Sequence, residues 1–313
     1  MKILVIGSEG TLGKPLCHEM ERRGYKVYRA DLAHKKYPDY VRCDISEYRQ
    51  CERLFNTKFD YVYLLAAEFG RINGEEYYEH VWKTNVIGTR NILELQKIHK
   101  FKLVFTSSSE VYGELDNPLL SERLSDEVPL RQHNDYAISK WVNELQCMNA
   151  EDQYDNDIVR IRLFNAYGPG EEYTRYRSVV CLFCYSALNR IPYQVYQNYY
   201  RVFMYIDDLI PTLVNVVDNY KAGSVYNIGG NEYCSVAQLN DVILDSISAS
   251  EREAVQIEYL DEDKHNVKSK RPDITLAQAD LGHNPKIKIY EGVPQTIEWM
   301  RKHYNIGLLR KIA

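Results

Sequence analysis

Lys2-Ile3-Leu4-Val5-Ile6-Gly7-Ser8-Glu9-Gly10-Thr11-Leu12-Gly13 is a short apolar run that breaks into three evenly spaced glycines. The run reads as a buried strand, the glycines as a tight turn, and the pattern through Arg23 as a helix. Strand, glycine turn and helix start occur in the order expected of a dinucleotide site. Backbone at Gly7, Gly10 and Gly13 can approach a pyrophosphate, while the new helix aims N–H groups around Thr11 and Leu12, and its positive dipole end, at it. A second strand, Lys26 to Ala30, ends at Asp31 about 20 residues on. A carboxylate there accepts hydrogen bonds from the adenosine ribose hydroxyls and repels a 2′-phosphate, which favours NAD over NADP.

Working outward, Tyr40 to Arg42 reads as a third strand leading to Asp44-Ile45, placed to flank an adenine. Asp60 to Leu65 reads as a fourth strand before Ala66-Ala67, whose small side chains leave room for a ligand. Tyr77 to Ile98 reads as one long amphipathic helix carrying Asn85 and Gly88, and Lys102 to Thr106 as the fifth strand. Strands alternating with helices predict an α/β fold, a Rossmann-type doubly wound parallel sheet. Its ligand crevice lies beyond the carboxyl ends of the strands.

The 313 residues suffice for a large core, and the net charge of −5 with scattered basic residues argues against a nucleic-acid partner. No apolar run reaches the roughly 20 residues of a membrane span, and the first residues are too short an apolar stretch for a signal peptide, so a cytoplasmic protein is expected. The seven cysteines are an odd number without export signals, so reduced thiols are expected. Cys181 and Cys184 form a C-x-x-C pair inside an apolar helical segment with no second ligand pair. Helix packing, and no metal, is the reading there.

The fifth strand delivers Thr106-Ser107-Ser108-Ser109-Glu110-Val111-Tyr112-Gly113 to the crevice. Further on stands Tyr136-Ala137-Ile138-Ser139-Lys140, a phenol and an ammonium one helical turn apart on a shared face. A nearby ammonium favours the phenolate, so Lys140 is expected to lower the pKa of Tyr136 from its reference of about 10 towards that of a general base.

These segments, with Arg162-Leu163-Phe164-Asn165-Ala166-Tyr167-Gly168-Pro169-Gly170, Tyr205-Ile206-Asp207-Asp208, Tyr226-Asn227-Ile228-Gly229-Gly230 and Lys270-Arg271-Pro272-Asp273, cover nearly the whole chain. Together they resemble the extended short-chain dehydrogenase/reductase superfamily, specifically its NAD-dependent nucleotide-sugar epimerases and dehydratases. The resemblance makes Tyr136 the base, Lys140 its tuner and a ribose ligand, Ser108 the hydroxyl partner at the sugar O4, and Glu110 an extra acid or base. It assigns Gly7, Gly10, Thr11, Leu12, Gly13, Asp31, Asp44, Ile45, Leu65, Ala66, Ala67, Asn85, Thr106, Tyr136 and Lys140 to NAD. Ser108, Ser109, Asn165, Arg201 and Arg271 fall to a nucleotide-diphosphate sugar.

The same resemblance implies a NAD-binding domain of residues 1–165 plus about 201–230. A smaller α/β substrate domain takes about 166–200 plus 231–313. It also implies a homodimer or dimer of dimers through the helices Tyr77 to Ile98 and Tyr136 to Ala150. The reaction begins with oxidation at the sugar C4, followed by 4,6-dehydration as the leading expectation, or by epimerisation, release of the ketone, or decarboxylation of a uronate. Ser109-Glu110 is the pairing seen in mannose-type dehydratases and uronate decarboxylases, where glucose-type dehydratases carry Asp-Glu. Tyr196 to Arg201 is shorter than the family's segment and lacks its glycines. A reading from another class, a catalytically silent NAD-binding regulator, expects a lost catalytic residue, and Ser108, Tyr136 and Lys140 are all present.

Overall fold

The computed structural model describes residues 1–115, 118–263 and 266–306. Seven parallel strands form the central sheet. β1 (Lys2–Ile6), β2 (Lys26–Asp31), β3 (Tyr40–Arg42), β4 (Tyr61–Leu64), β5 (Lys102–Ser108) and β6 (Ile158–Leu163) are joined by Val225–Ile228. The order across the sheet is Val225–Ile228, β6, β5, β4, β1, β2, β3. The strand order reverses between β1 and β4, and that switch point is where such sheets bind ligands.

Both faces are covered, so the strands are apolar on both sides. Ile3 and Val5 pack with Tyr61, Tyr63, Val104, Val159 and Ile161 against helices Gly13–Arg22 and Ile206–Asp218. Leu4 and Ile6 pack with Val62, Leu64, Leu103 and Phe105 against the opposite layer, which includes Gly88–His99 and Asp135–Tyr154. Burying each such aliphatic side chain is worth about 1.5–3 kcal/mol. A third apolar cluster is built from helices Val179–Asn189, Val236–Asp245 and Ile289–His303. Cys181 and Cys184 are buried there as free thiols, within helix packing. Beside this cluster, Tyr200–Val202 pairs with Tyr233–Ser235 and Ser269–Lys270, so the expected boundary near residue 201 falls inside this small sheet.

The expected continuous helix from Tyr77 to Ile98 is a correction. Tyr77 leaves helical geometry at φ −131°, ψ 48°. Short helices Arg71–Glu76 and Tyr78–Val81 precede a wide π turn, Trp82–Ile87, and only Gly88–His99 is regular. The cause is Asn85. Its side chain accepts from Glu68 N at 2.9 Å and donates to Glu68 O and to Ser139 Oγ, both at 2.9 Å. Those bonds hold the π turn against the loop after β4 and against helix Asp135–Tyr154.

Candidate active site

Beyond the carboxyl ends of β1, β4 and β5 lies a cavity of about 560 Å³. At one end the glycine turn approaches neighbouring backbone so closely that side chains are excluded. Gly7 has φ +91°, and a Cβ there would lie 2.6 Å from Ala66 N; a Cβ on Gly13 would lie 2.1 Å from Gly7 O. Asp31 lines the cavity, and its carboxylate accepts from Glu9 N at 2.9 Å and Ala33 N at 3.0 Å, tying the glycine turn to the end of β2. Asp44, Ile45, Leu65, Ala66, Ala67 and Thr106 line the same end. A Cβ on Gly88 would strike the Ile45 side chain at 2.6 Å, so the glycine lets that helix seat Ile45. Asn85 stands behind the wall, shaping the loop from Glu68.

At the other end, Ser108, Ser109, Glu110, Tyr136 and Lys140 converge on the cavity. Helix Asp135–Tyr154 starts at Asn134, whose side chain accepts from Ala137 N at 2.9 Å, so Tyr136 sits in a capped first turn. Burial pushes the Tyr136 phenol up to about 12, Ser108 opposes this through a hydrogen bond, and the Glu110 charge reinforces it. Lys140 does not lower Tyr136 as expected. Its Nζ donates to Thr106 O at 2.9 Å, and burial brings the ammonium itself down to about 8. Desolvation of the phenol outweighs the attraction that one-turn spacing suggested.

Glu110 has an unexpected partner. Its carboxylate forms an ion pair with Lys270, whose side chain is 1% exposed. The Glu110 side chain keeps 32% accessibility, and because it lines the cavity deep inside the protein, that opening is onto the cavity. Burial alone would raise this carboxyl, but Lys270, then Arg201 and Arg71, hold it below the usual carboxylate range.

A family model described as "NAD dependent epimerase/dehydratase family" matches residues 3–229. The chain belongs to this family. It is 27% identical over 321 residues to UDP-N-acetyl-alpha-D-glucosaminuronate decarboxylase of Bacillus cytotoxicus, covering 97% of this chain and 99% of that protein. It is 29% identical over 305 residues to UDP-glucuronic acid decarboxylase 6 of Arabidopsis thaliana, covering 94% and 87%. Among solved structures, an epimerase from Methanothermobacter thermautotrophicus superposes with TM-score 0.86 at 25% identity, covering 100% of this chain and 95% of that one.

The cofactor of an NAD dependent epimerase/dehydratase is NAD, and the residues present fit it: the side-chain-free cradle at Gly7 and Gly13 suits a pyrophosphate, and Asp31 stands at the end of β2. Two of the expected substrate residues lie outside the cavity wall. Arg201 is buried and donates to Tyr200 O, Lys268 O, Val267 O and Asn266 Oδ1, so its guanidinium braces that segment. Arg271 is exposed, over the Tyr233 ring. Asn165 is at the cavity in left-handed conformation, φ 41°, donating to Val202 O at 3.0 Å.

Three residues were missed. Lys270 lies in the Lys270-Arg271-Pro272-Asp273 segment, beside the expected Arg271. Arg177 lines the cavity above the Phe69 ring, and its buried Nε has no acceptor among the described residues. Glu171 is buried in the wall, accepting from Ser178 N and Oγ at 3.0 and 2.7 Å. Nothing in their spacing signals them, because Lys270 is brought in by the pairing of strand Ser269–Lys270, and Glu171 and Arg177 by the loop before helix Val179–Asn189.

Proposed function

We propose that this chain decarboxylates a nucleotide-linked uronic acid. One observation carries the reading: Glu110 is kept ionised by buried Lys270. Eliminating water across C5 and C6 requires a base at C5 and also an acid at the C6 oxygen. A carboxylate held below its usual range by an ammonium is a poor acid. Decarboxylation needs neither. The sequence reading put 4,6-dehydration first; the ion pair and the uronate decarboxylases among the relatives move decarboxylation ahead.

Bound NAD supplies the oxidant for C4 and afterwards the reductant. Ser108 holds the C4 hydroxyl, and Tyr136, in its phenolate form, takes its proton as C4 becomes a ketone. The C6 carboxylate is then β to a carbonyl. The C5–C6 bond breaks, carbon dioxide leaves, and the bonding electron pair enters the C4 carbonyl as an enolate. The Lys270 ammonium passes a proton through Glu110, the member of the pair that opens onto the cavity, to C5, restoring the ketone, which is reduced as Tyr136 hands back its proton to O4. Arg177, whose side chain lines the cavity, receives an anionic group of the substrate. Residues 166–200 and 231–313 serve as the substrate lobe over a NAD-binding domain. The setting is the cytoplasm, which keeps the seven buried thiols reduced.

Supplying NAD-loaded protein with a panel of nucleotide hexuronates and trapping carbon dioxide tests this. Release with one of them is expected. Dehydration of a neutral nucleotide hexose, with no gas from any uronate, overturns it.

A further inference from the structure

Helix Asp135–Tyr154 carries Tyr136, Lys140 and, one turn further, Glu144. Both Glu144 and Arg162 are wholly buried. Arg162 donates from Nε to Glu144 Oε1 at 2.9 Å and from Nη2 to Oε2 at 2.7 Å, a bidentate fork. The same Oε1 accepts from Ser107 Oγ at 2.5 Å. Arg162 Nη1 continues to Tyr112 Oη at 2.9 Å, and Tyr112 donates to Asn227 Oδ1 at 2.8 Å. One carboxylate therefore binds the residue before Ser108 on β5, the guanidinium on β6 and, through it, the turn after Glu110. Nothing in the proposed chemistry uses Glu144 directly.

We infer that Glu144 is a positioning residue: it fixes the strand end that presents Ser108 relative to the helix that presents Tyr136 and Lys140. The first effect is geometric. Ser108 and Tyr136 stand on different elements, and a buried bond from Ser107 to Glu144 locks one element against the other. A misplacement of 1 Å at such a site costs about 100-fold in rate. The second effect is electrostatic. Burial lowers Lys140, Glu144 and then Cys147 oppose that, and the other neighbours of Nζ are the neutral Thr106 carbonyl and Phe105 ring. Removing the Glu144 charge makes Lys140 lose its proton at a lower pH.

The inference rests on the assigned roles of Ser108, Tyr136 and Lys140, so the experiment has one arm that needs no sugar. Glu144→Gln alone leaves Arg162 buried without its partner and invites unfolding; the variants to use are therefore Ser107→Ala, Glu144→Asp and the double Glu144→Gln/Arg162→Met. Ser107→Ala is expected to lower kcat by about 10- to 100-fold with KM within about 3-fold. In the double variant the alkaline limb of kcat, and the alkaline loss of NAD affinity measured by calorimetry without substrate, shift to lower pH. Glu144→Asp keeps the charge and leaves that limb in place. A folded double variant with wild-type kcat and an unmoved NAD-affinity limb overturns the inference, as does a Ser107→Ala enzyme that loses thermal stability but not kcat. If no nucleotide uronate turns over even in the wild type, the functional reading fails, while the NAD-affinity arm still decides the role of Glu144.

Discussion

Glu110→Gln keeps the shape of the side chain and deletes the charge that Lys270 answers. Lys270 is 1% exposed and its ammonium has no other hydrogen-bond partner among the described residues. Removing one member of a buried pair costs about 3–5 kcal/mol, because the other charge stays desolvated. The opening of Glu110 onto the cavity admits water and puts the expectation at the lower end, about 3 kcal/mol. At roughly 2 °C per kcal/mol for a chain of this size, that is a drop of about 6 °C in Tm. The sign with pH follows from Lys270. Burial already lowers it, and without Glu110 it falls further. An ammonium with a depressed folded-state pKa destabilises the fold below its unfolded pKa, about 10.4. The penalty in the variant therefore grows as pH falls from there and saturates below the folded pKa. Differential scanning calorimetry across pH checks this, with Lys270→Met and the double variant closing a thermodynamic cycle. The double variant should recover at least about 2 kcal/mol relative to Glu110→Gln. A Glu110→Gln protein as stable as wild type at neutral pH, or a cycle that adds without coupling, refutes the ion pair and with it the reason for preferring decarboxylation.

Lys140→Met should be inactive yet more stable at neutral pH. Burial brings this ammonium from 10.5 to about 8, so its removal relieves up to about 3 kcal/mol, and the gain should vanish as pH approaches 10; thermal melts at pH 6 and pH 10 check it. Asp31→Ala should erase the preference for NAD over NADP in calorimetric titration, because a carboxylate at the end of this strand repels a 2′-phosphate. In solution the protein should be a homodimer or dimer of dimers by light scattering. Ile98 is 66% exposed, and Ile87, Ile138 and Leu145 are also exposed apolar residues on the expected interface elements; a monomer at micromolar concentration contradicts the pairing. Arg177→Met should weaken binding of a nucleotide uronate by about 10-fold or more, the loss of a charged hydrogen bond, while leaving NAD affinity unchanged.

Which features could be read in advance follows from how local their causes are. β1 runs from Lys2 to Ile6 as expected, because an apolar run ending in a glycine at φ +91° specifies strand and turn within a few residues. Tyr136 and Lys140 share a cavity for the same reason, their spacing on one helix. The π turn at Trp82–Ile87 was hidden, since the apolar periodicity continues through it and its cause is Asn85 reaching Glu68 and Ser139. Spacing reveals the charge beside Tyr136 but not the burial of its phenol, which pushes its pKa the other way. Lys270 reaches Glu110 only because Ser269–Lys270 pairs with Tyr200–Val202 in the small sheet, a contact across about 70 residues of sequence that no local pattern announces.

The most direct test of decarboxylation runs in deuterium oxide. NAD-loaded protein, incubated with a nucleotide hexuronate and followed by mass spectrometry and NMR, should yield a nucleotide pentose that has lost carbon dioxide and carries one deuterium at C5, where the enolate is protonated. A product that keeps its carboxylate and is inverted at C4, or a dehydrated hexose from a neutral nucleotide sugar with no reaction of the uronate, contradicts the account.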